Sequence, residues 1–535
     1  MTAPQYYATM TSVSPNHDAV RPDPAQIVVP RKHGQVLFTP APNLLTDARR
    51  PTLAGKWSEL QQLARQDFLH AVQTHAQRIG APPPPQTLLE KRWILTGHQL
   101  EFYHAGVWAK VVAVDELARR FGGDASAAAF DVLVDHDVVD RLGFDVPVQQ
   151  GETWQRYPVL WASASHVPAD GLHSPNLKQF EAWDAELAKH PQAHVDALAH
   201  ILTELKPTAE LRQFTPWMSR ARWKLEQAMG INVHHVPTSL LCSGDAWATF
   251  VRAWIEHAAA WTAVYNKHLH AYRRRAGIKN PQHPMPDLQK TVDTLELPFW
   301  IYRPGQPRQR LFLRTGANPA LLHGETALPL NSEFKIQNSE FVIRPRALTL
   351  TMFLRLFVGD LFIHGIGGAL YDQITDGILH ELFGVIPSYA CVSAAWLLPL
   401  GQPFEAADDL AALRWRRHHA LHNPQLTIDP FTALKTDVAE LITQRRDLIK
   451  AIADSLAHHR HDGRPARAAS FRQLHALNAA LHEKAPRILA NLDRQFAEVQ
   501  RTREQNKTLL WREWFFALHS LESLQQLINK VRNPA

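Results

Sequence analysis

Apolar residues change their spacing several times along this chain, and each change marks a change of structure. Up to residue 51 the sequence is proline-rich and aperiodic, and it is expected to wrap a surface or lead into the first helix. Leu53 to Ile79 reads as one amphipathic helix closed by Gly80. Pro82 to Pro85 is a stiff linker. A short β-like run, Arg92 to Leu95, then meets a glycine turn at Gly97. A helix follows, with Val107, Val111, Val114 and Leu117 as its buried stripe and Gly122-Gly123 as its stop. Phe130 to Val134 is continuously apolar, which predicts a strand buried on both faces.

From about 170 to 276 the pattern is helical, with Asn232 to Val236 as a candidate strand, and the region is expected to be an insertion or a lid. Pro298 to Arg303 and Gln309 to Arg314 flank Pro304-Gly305-Gln306-Pro307 as a hairpin, and Phe341 to Ile343 adds a strand. A helix after Pro345, the run Ile363 to Gly368, a helix from Ala369 to Phe383 and the apolar segment Tyr389 to Leu398 form a second α/β block. This block is expected to complete the sheet begun at residue 92.

Beyond residue 400 a helical period takes over. Leu434, Val438, Leu441, Leu448 and Ile452 form one run, Phe471, Leu474, Leu477 and Leu481 a second, and Ile488, Leu492, Phe496 and Val499 a third. With His458 to Gly463 as a polar turn and Pro486 kinking or restarting the second arm, an antiparallel, coiled-coil-like hairpin is predicted. The fold class is therefore α/β: a Rossmann-like parallel-sheet core, a helical insertion and a C-terminal helical coiled coil. The expected divisions are an N-terminal extension and helix (1–90), the first half of the core (91–165), the insertion (166–297), the second half with its hairpin (298–400) and the coiled coil (401–535).

Composition narrows the classes. A chain of 535 residues, 45% hydrophobic and 20% charged, suits a globular protein of more than one domain. Cys242 and Cys391 are the only cysteines, so no disulfide framework is implied and a reducing cytoplasm is expected. Met1 to Asp18 lacks the basic and apolar segments of a secretory signal. The longest apolar region, Ala347 to Ile366, contains Arg355, Asp360 and His364, which argues against a membrane span. The formal charge is +6. Its clusters, Arg273 to Arg275, Arg414 to Arg417 and Arg445-Arg446, fall on predicted helices that also carry acids, and no aromatic-basic signature points to nucleic acid. A site for an anionic small molecule fits the same surplus.

Candidate chemistry collects at the predicted strand ends. Gly97 lets a ligand approach the backbone closely, and His98, Gln99, His104 and Lys110 can all donate to phosphate or carboxylate. The plainer reading makes Gly97 a tight turn and His98 a helix-capping donor. Asp135-His136-Asp137 ends the second strand: the two acids can hold Mg²⁺ or take protons from an amine, and His136 can act as acid or base. Strand alternation puts Asp135 and Asp137 on one side and His136 on the other. Arg344 suits a bidentate carboxylate clamp or a salt bridge at the strand end. Gly365, Gly367 and Gly368 suit a backbone anion nest or close packing, with His364, Tyr371 and Asp372 nearby. Cys242 and Cys391 read as buried small hydrophobes. His268-x-His270 and His459-x-His461 lack companion ligands, so no resident metal is expected. Trp511 to Phe516 reads as a helix packed on the core.

Taken in order, Thr96-Gly97-His98-Gln99, Asp135-His136-Asp137, Arg344-Pro345 and Gly365-Ile366-Gly367-Gly368 with Tyr371 resemble the signatures of the bacillithiol biosynthesis cysteine-adding enzyme family. Where that family usually has Thr-Gly-Gln-Gln, this chain has His98, and its Gly-Gly-Pro-Gly run is altered, as in a divergent branch. The resemblance implies a Rossmann-like core with a C-terminal coiled coil, and amide formation between cysteine and an amino sugar joined to malate. Such chemistry activates a carboxylate, for which ATP or ADP with Mg²⁺ is the expected cofactor. His98, Asp135, Asp137 and Arg344 would then be catalytic and the other named residues binding. Two alternatives stand beside it: a non-catalytic ligand-binding module that recruits partners through a coiled coil, and a nucleotidyl-transferring Rossmann-like enzyme. The coiled coil would either join two copies or fold back on its own chain.

Overall fold

The computed structural model describes residues 19–122, 126–151, 153–163, 166–280, 285–330, 340–404, 409–426, 428–458, 464–484 and 486–534. Met1 to Asp18, Gly123 and the expected polar turn with His459 and His461 lie outside those residues. Two compact units divide the chain: one holds the N-terminal part through Val148, Gln155–Leu398 and Trp511–Ala535, the other Gln149–Trp154 and Pro399–Leu510. No helix among the described residues is long and apolar enough to cross a membrane.

In chain order the described strands are β1 (Gln35–Thr39), β2 (Arg92–Gln99), β3 (Ala127–Val134), β4 (Leu142–Gln150), β5 (Thr153–Ala162), β6 (His234–Pro237), β7 (Thr294–Tyr302), β8 (Gln309–Arg314), β9 (Ala320–His323), β10 (Thr326–Pro329), β11 (Val342–Pro345), β12 (Leu361–His364) and β13 (Tyr389–Ala395). The first unit is mixed α/β around a six-stranded sheet of order β1-β13-β12-β2-β3-β6. Strands β13, β12, β2, β3 and β6 are mutually parallel, and β1 runs antiparallel along β13. The sheet grows from β2 outward to β3 and β6, then returns to the other side of β2 with β12 and β13. β2 and β12 thus flank the point where strand order reverses, and in open parallel sheets ligands collect there, at the carboxyl ends.

Residue patterns explain most of these elements. Helix α1 (Lys56–Ile79) buries Leu60, Ala64, Phe68, Leu69 and Val72 and ends where Gly80 turns left-handed at φ 73°. There it joins Trp93, Leu95, Phe130 and Val132 of the sheet in one continuous core. Helix α2 (Ala105–Arg120) is buried nearly all round. It packs on β2, β3 and β13, and its outer side is covered by a helix from the far end of the chain.

Several expectations need correction. The segment before residue 51 supplies an edge strand, β1, which its lack of periodicity concealed. β2 runs on through Gly97 to Gln99, so Gly97 lies within a strand paired with Val132 and is not a turn. The region 166–297 is more than an insertion. After α3 (Leu177–Leu187), α4 (Asp196–Leu205) and α5 (Phe214–Ala228), it delivers β6 to the sheet edge, so the chain from 135 to 233 is the crossover that parallel pairing demands. The β4–β5 hairpin was not anticipated. After β6 come α6 (Thr238–Leu241), α7 (Asp245–Glu256) and α8 (Ala258–Arg275). The expected hairpin forms from β7 and β8, but it belongs with β9, β10 and β11 to a separate antiparallel sheet of order β10-β9-β8-β7-β11. Only β12 and β13 complete the main sheet, around α9 (Ala347–Phe353) and α10 (Ile366–Phe383). Alternation identifies a strand but not its distant partner.

In the second unit α11 (Leu410–His422), α12 (Pro430–Ala433), α13 (Thr436–His458), α14 (Arg464–Lys484) and α15 (Pro486–Leu509) follow. Pro486 restarts the chain as a new helix. The pairs Asp437–Lys484 and Arg445–Asn478 align α13 and α14 antiparallel; Arg417–Asp493 ties α11 to α15, and Phe404, ahead of α11, donates to Asn506 near the end of α15. Val438 and Leu481 are buried between the first pair. The chain then returns to the first unit. Trp511 to Phe516 is not a helix: His104 and Phe515 form a β-bridge, and Phe516 stacks on Trp108 at 5.0 Å. Helix α16 (Leu521–Arg532) lays Leu524, Leu527, Ile528 and Val531 on α2.

Candidate functional site

A cavity of about 520 Å³ opens at the reversal point of the sheet. Its walls come from the end of β2, the start of α2, the loop after β3, the start of α10 and, from the β7–β8 hairpin, Trp300 and Arg308. The two glycine-bearing segments are neighbours because Leu361, Phe362 and Ile363 pair with Ile94, Leu95 and Thr96.

On the β2 side Gly97 earns its place by proximity. A Cβ there would lie 2.9 Å from the Val132 carbonyl oxygen. Its own carbonyl accepts a 2.7 Å hydrogen bond from Lys110 Nζ. Lys110 is 3% exposed, and burial brings its ammonium down to about 8, against the pull of Asp131. The capping role falls to His104 and not to His98: His104 Nδ1 accepts the Gly106 N–H at 3.0 Å at the head of α2. Burial pushes this ring down to about 3. His98 lies in the strand, its Nδ1 3.3 Å from the Gln99 carbonyl, and lines the cavity.

The acid-rich loop departs from the alternation rule, because β3 ends at Val134 before the rule can apply. His136 and Asp137 line the cavity, whereas Asp135 turns away into the protein. There it accepts from Thr238 Oγ1 (2.8 Å), Ser239 N (2.8 Å), Ser239 Oγ (2.5 Å) and Thr215 Oγ1 (3.3 Å). Those donors occupy all of its lone pairs. Asp137 meets Arg308 at 2.5 Å and Gln99 Nε2 at 3.3 Å. The expected Asp135–Asp137 Mg²⁺ pair therefore does not fit: one acid is saturated and the other is neutralised by arginine. No group of three or more His, Cys, Asp or Glu among the described residues is arranged for a metal.

Arg344 is also displaced from the expected role. It is 7% exposed and does not line the cavity, donating instead to the Cys242 carbonyl at 3.4 Å with Nε 3.7 Å from Asp170. It is the strand-end salt bridge. His364 closes β12 and does line the cavity, with Nε2 2.7 Å from Asp372 Oδ2. Asp372 stands behind it, out of the cavity, held well below the usual carboxylate range by Arg355 and His364 despite burial. Gly365 is the N-cap of α10, and Gly367 and Gly368 form its first turn on the cavity wall. A Cβ on Gly368 would approach His364 Nδ1 to 2.9 Å, so this glycine makes room for the histidine. Tyr371 lines the wall and lies 5.9 Å from the Tyr272 ring, so it is not a purely core residue.

Among the described residues three cations line the cavity, Lys110, Arg308 and Arg512, against one carboxylate, Asp137. Arg308 stacks over Trp300 at 4.5 Å, and the half-buried Arg512 donates to the Pro30 carbonyl at 3.1 Å. With the open N-terminus of α10 added, the field favours an anion. Sequence reasoning missed Trp300, Arg308, Thr238 and Arg512. Thr238-Ser239 directly after β6 carried a signal, a polar pair at a parallel strand's carboxyl end; Arg308 and Arg512 reach the site through long-range folding. No family model matches this chain, and no curated protein does.

Proposed function

We propose that this chain is a cytoplasmic enzyme with a Rossmann-like core that binds an anionic small molecule in the cavity between β2 and β12 and forms an amide bond. Its nearest chemistry is that of the family it resembles, addition of cysteine to glucosaminyl-malate. One observation carries the reading: both glycine-bearing segments open onto one cavity, at the reversal point of a parallel sheet, with three cations against one carboxylate among the described residues. Lys110, Arg308 and the first turn of α10 would hold the negative groups of the substrate, and Gln99 and Asp137 its polar edge. An activated carboxyl, phosphorylated or adenylylated, would place its leaving group toward these donors, where developing negative charge is stabilised. The same proposal takes the two antiparallel helix pairs of the second unit as a coiled coil that joins two copies.

The test is calorimetric titration of pyrophosphate, ATP, ADP and glucosaminyl-malate into the full chain. Lys110→Met and Arg308→Ala should each weaken binding about tenfold or more, as loss of a charge-assisted contact does. Unchanged affinity in both variants would move the anion out of this cavity. Incubation with cysteine, glucosaminyl-malate and ATP, followed by mass spectrometry, should give the amide. Binding without product would leave a sensing module.

A further inference from the structure

We propose that His136 is the general base of this cavity, held ready by Thr238 and Asp135, which never touch the ligand. The inference rests on the functional reading above for its substrate, an attacking amine, but not for its geometry. Asp135 is fully buried and receives four donors, two on each oxygen. Four donors on two oxygens match the acceptor capacity of a carboxylate, the form in which Asp135 would orient Thr238. Burial raises its carboxyl above the usual range, although the hydrogen bonds from Ser239 and Thr238 and the charge of Arg344 oppose that rise. Thr238 has a single hydroxyl proton, and it is spent on Asp135 Oδ1 at 2.8 Å. The same hydroxyl oxygen lies 2.7 Å from His136 Nδ1. With Asp135 ionised, the proton in that second contact belongs to the ring. His136 is therefore the Nδ1–H tautomer, and Nε2 keeps its lone pair.

The nitrogens of an imidazole diverge, so with Nδ1 turned to Thr238, Nε2 faces away from it, and the ring lines the cavity. Burial keeps the ring neutral, with a value brought down to about 3. The groups around it divide: Asp137 and the Pro345 carbonyl favour a proton on the ring, Arg344 and Arg308 disfavour it. In the reaction the amine nitrogen attacks the activated carboxyl carbon and a C–N bond forms. One amine proton passes to Nε2. The C–O bond to the phosphoryl or adenylyl group breaks, and that group leaves with the bonding pair. The imidazolium, transiently supported by Asp137 and by Asp135 through Thr238, then releases its proton to the leaving oxygen or to water. His136 is the catalytic residue; Thr238 and Asp135 are positioning residues.

Nitrogen-15 histidine labelling of the full chain, with His136→Gln for assignment, reads the tautomer directly at neutral pH. The expected spectrum has a protonated Nδ1 and an unprotonated Nε2, and Thr238→Val, which keeps the shape and removes the hydroxyl, should lose that preference. An Nε2–H ring in the wild type, or a ring indifferent to Thr238→Val, overturns the proposal. In the cysteine and glucosaminyl-malate reaction His136→Gln should lower kcat by about 10²–10⁴-fold, the usual share of a general base, with pyrophosphate affinity unchanged. A loss of affinity with kcat intact also overturns it. The expected tautomer without any amide product removes the ligase reading and leaves the base in place; the other tautomer removes the base and leaves the ligase.

Discussion

At the scale of single residues, burial decides what each polar group in the cavity does. Lys110 is the clearest case. Its depressed value of about 8 means that it is charged below that pH and neutral above it. Affinity for pyrophosphate should therefore fall as pH rises from 7 to 9, and the step should vanish in Lys110→Arg, since arginine stays charged throughout. A titration calorimetry series across that range checks it. Arg344 predicts the opposite kind of defect. Arg344→Ala leaves Asp170 buried without its cation, and breaking such a pair costs about 3–5 kcal/mol. Urea unfolding should record that loss, while ligand affinity changes little; a wild-type stability with lost affinity would return Arg344 to the site. The residue types at the site were legible in the sequence: Gly97, His98, His104, Lys110, His136, Asp137 and His364 all reach the cavity wall. Their orientations were not. Asp135 and Asp137 were expected to act together, but the strand stops one residue too early, and the chain turns Asp135 inward to Ser239 and Thr238.

At the scale of elements, local periodicity served well where an element's partners are near in sequence and poorly where they are not. α1, α2, α10 and the β7–β8 hairpin match their patterns because spacing and glycine stops define them. β1 was invisible: it is a five-residue edge strand whose partner among the described residues, β13, lies some 350 residues further on. β11 carries the expected Arg344-Pro345 but pairs with β7, not with the main sheet. The all-round burial of α2 is a second long-range effect, since α16 supplies its outer cover. Leu527, fully buried on α16, makes this testable. Leu527→Ala should destabilise the sheet unit by about 2–5 kcal/mol in denaturant unfolding. A change below 0.5 kcal/mol, the range of surface substitutions, would mean that α16 is not part of that core.

At the scale of the molecule, the helical unit exposes large apolar side chains: Phe431 at 85%, Leu434 at 81%, Trp415 at 62% and Phe471 at 61%. Proposed as the seam between two copies, these residues predict a dimer by light scattering that Phe431→Ser together with Leu434→Ser returns to monomer. A wild type that stays monomeric at all concentrations ends that part of the proposal. The sequence announced this unit through its helical period but hid where it stops, because the aromatic run Trp511 to Phe516 resembles more helix. Those aromatics instead bring the chain home, with Phe516 flat against Trp108. The homecoming has a consequence for biosynthesis. A ribosome that has made residues up to 510 has released every strand of the main sheet, yet α2 still shows solvent the greasy flank that Leu524, Leu527, Ile528 and Val531 will seal. The nascent nucleus stays adhesive through the whole helical excursion, so this protein should lean on chaperones during translation far more than after it.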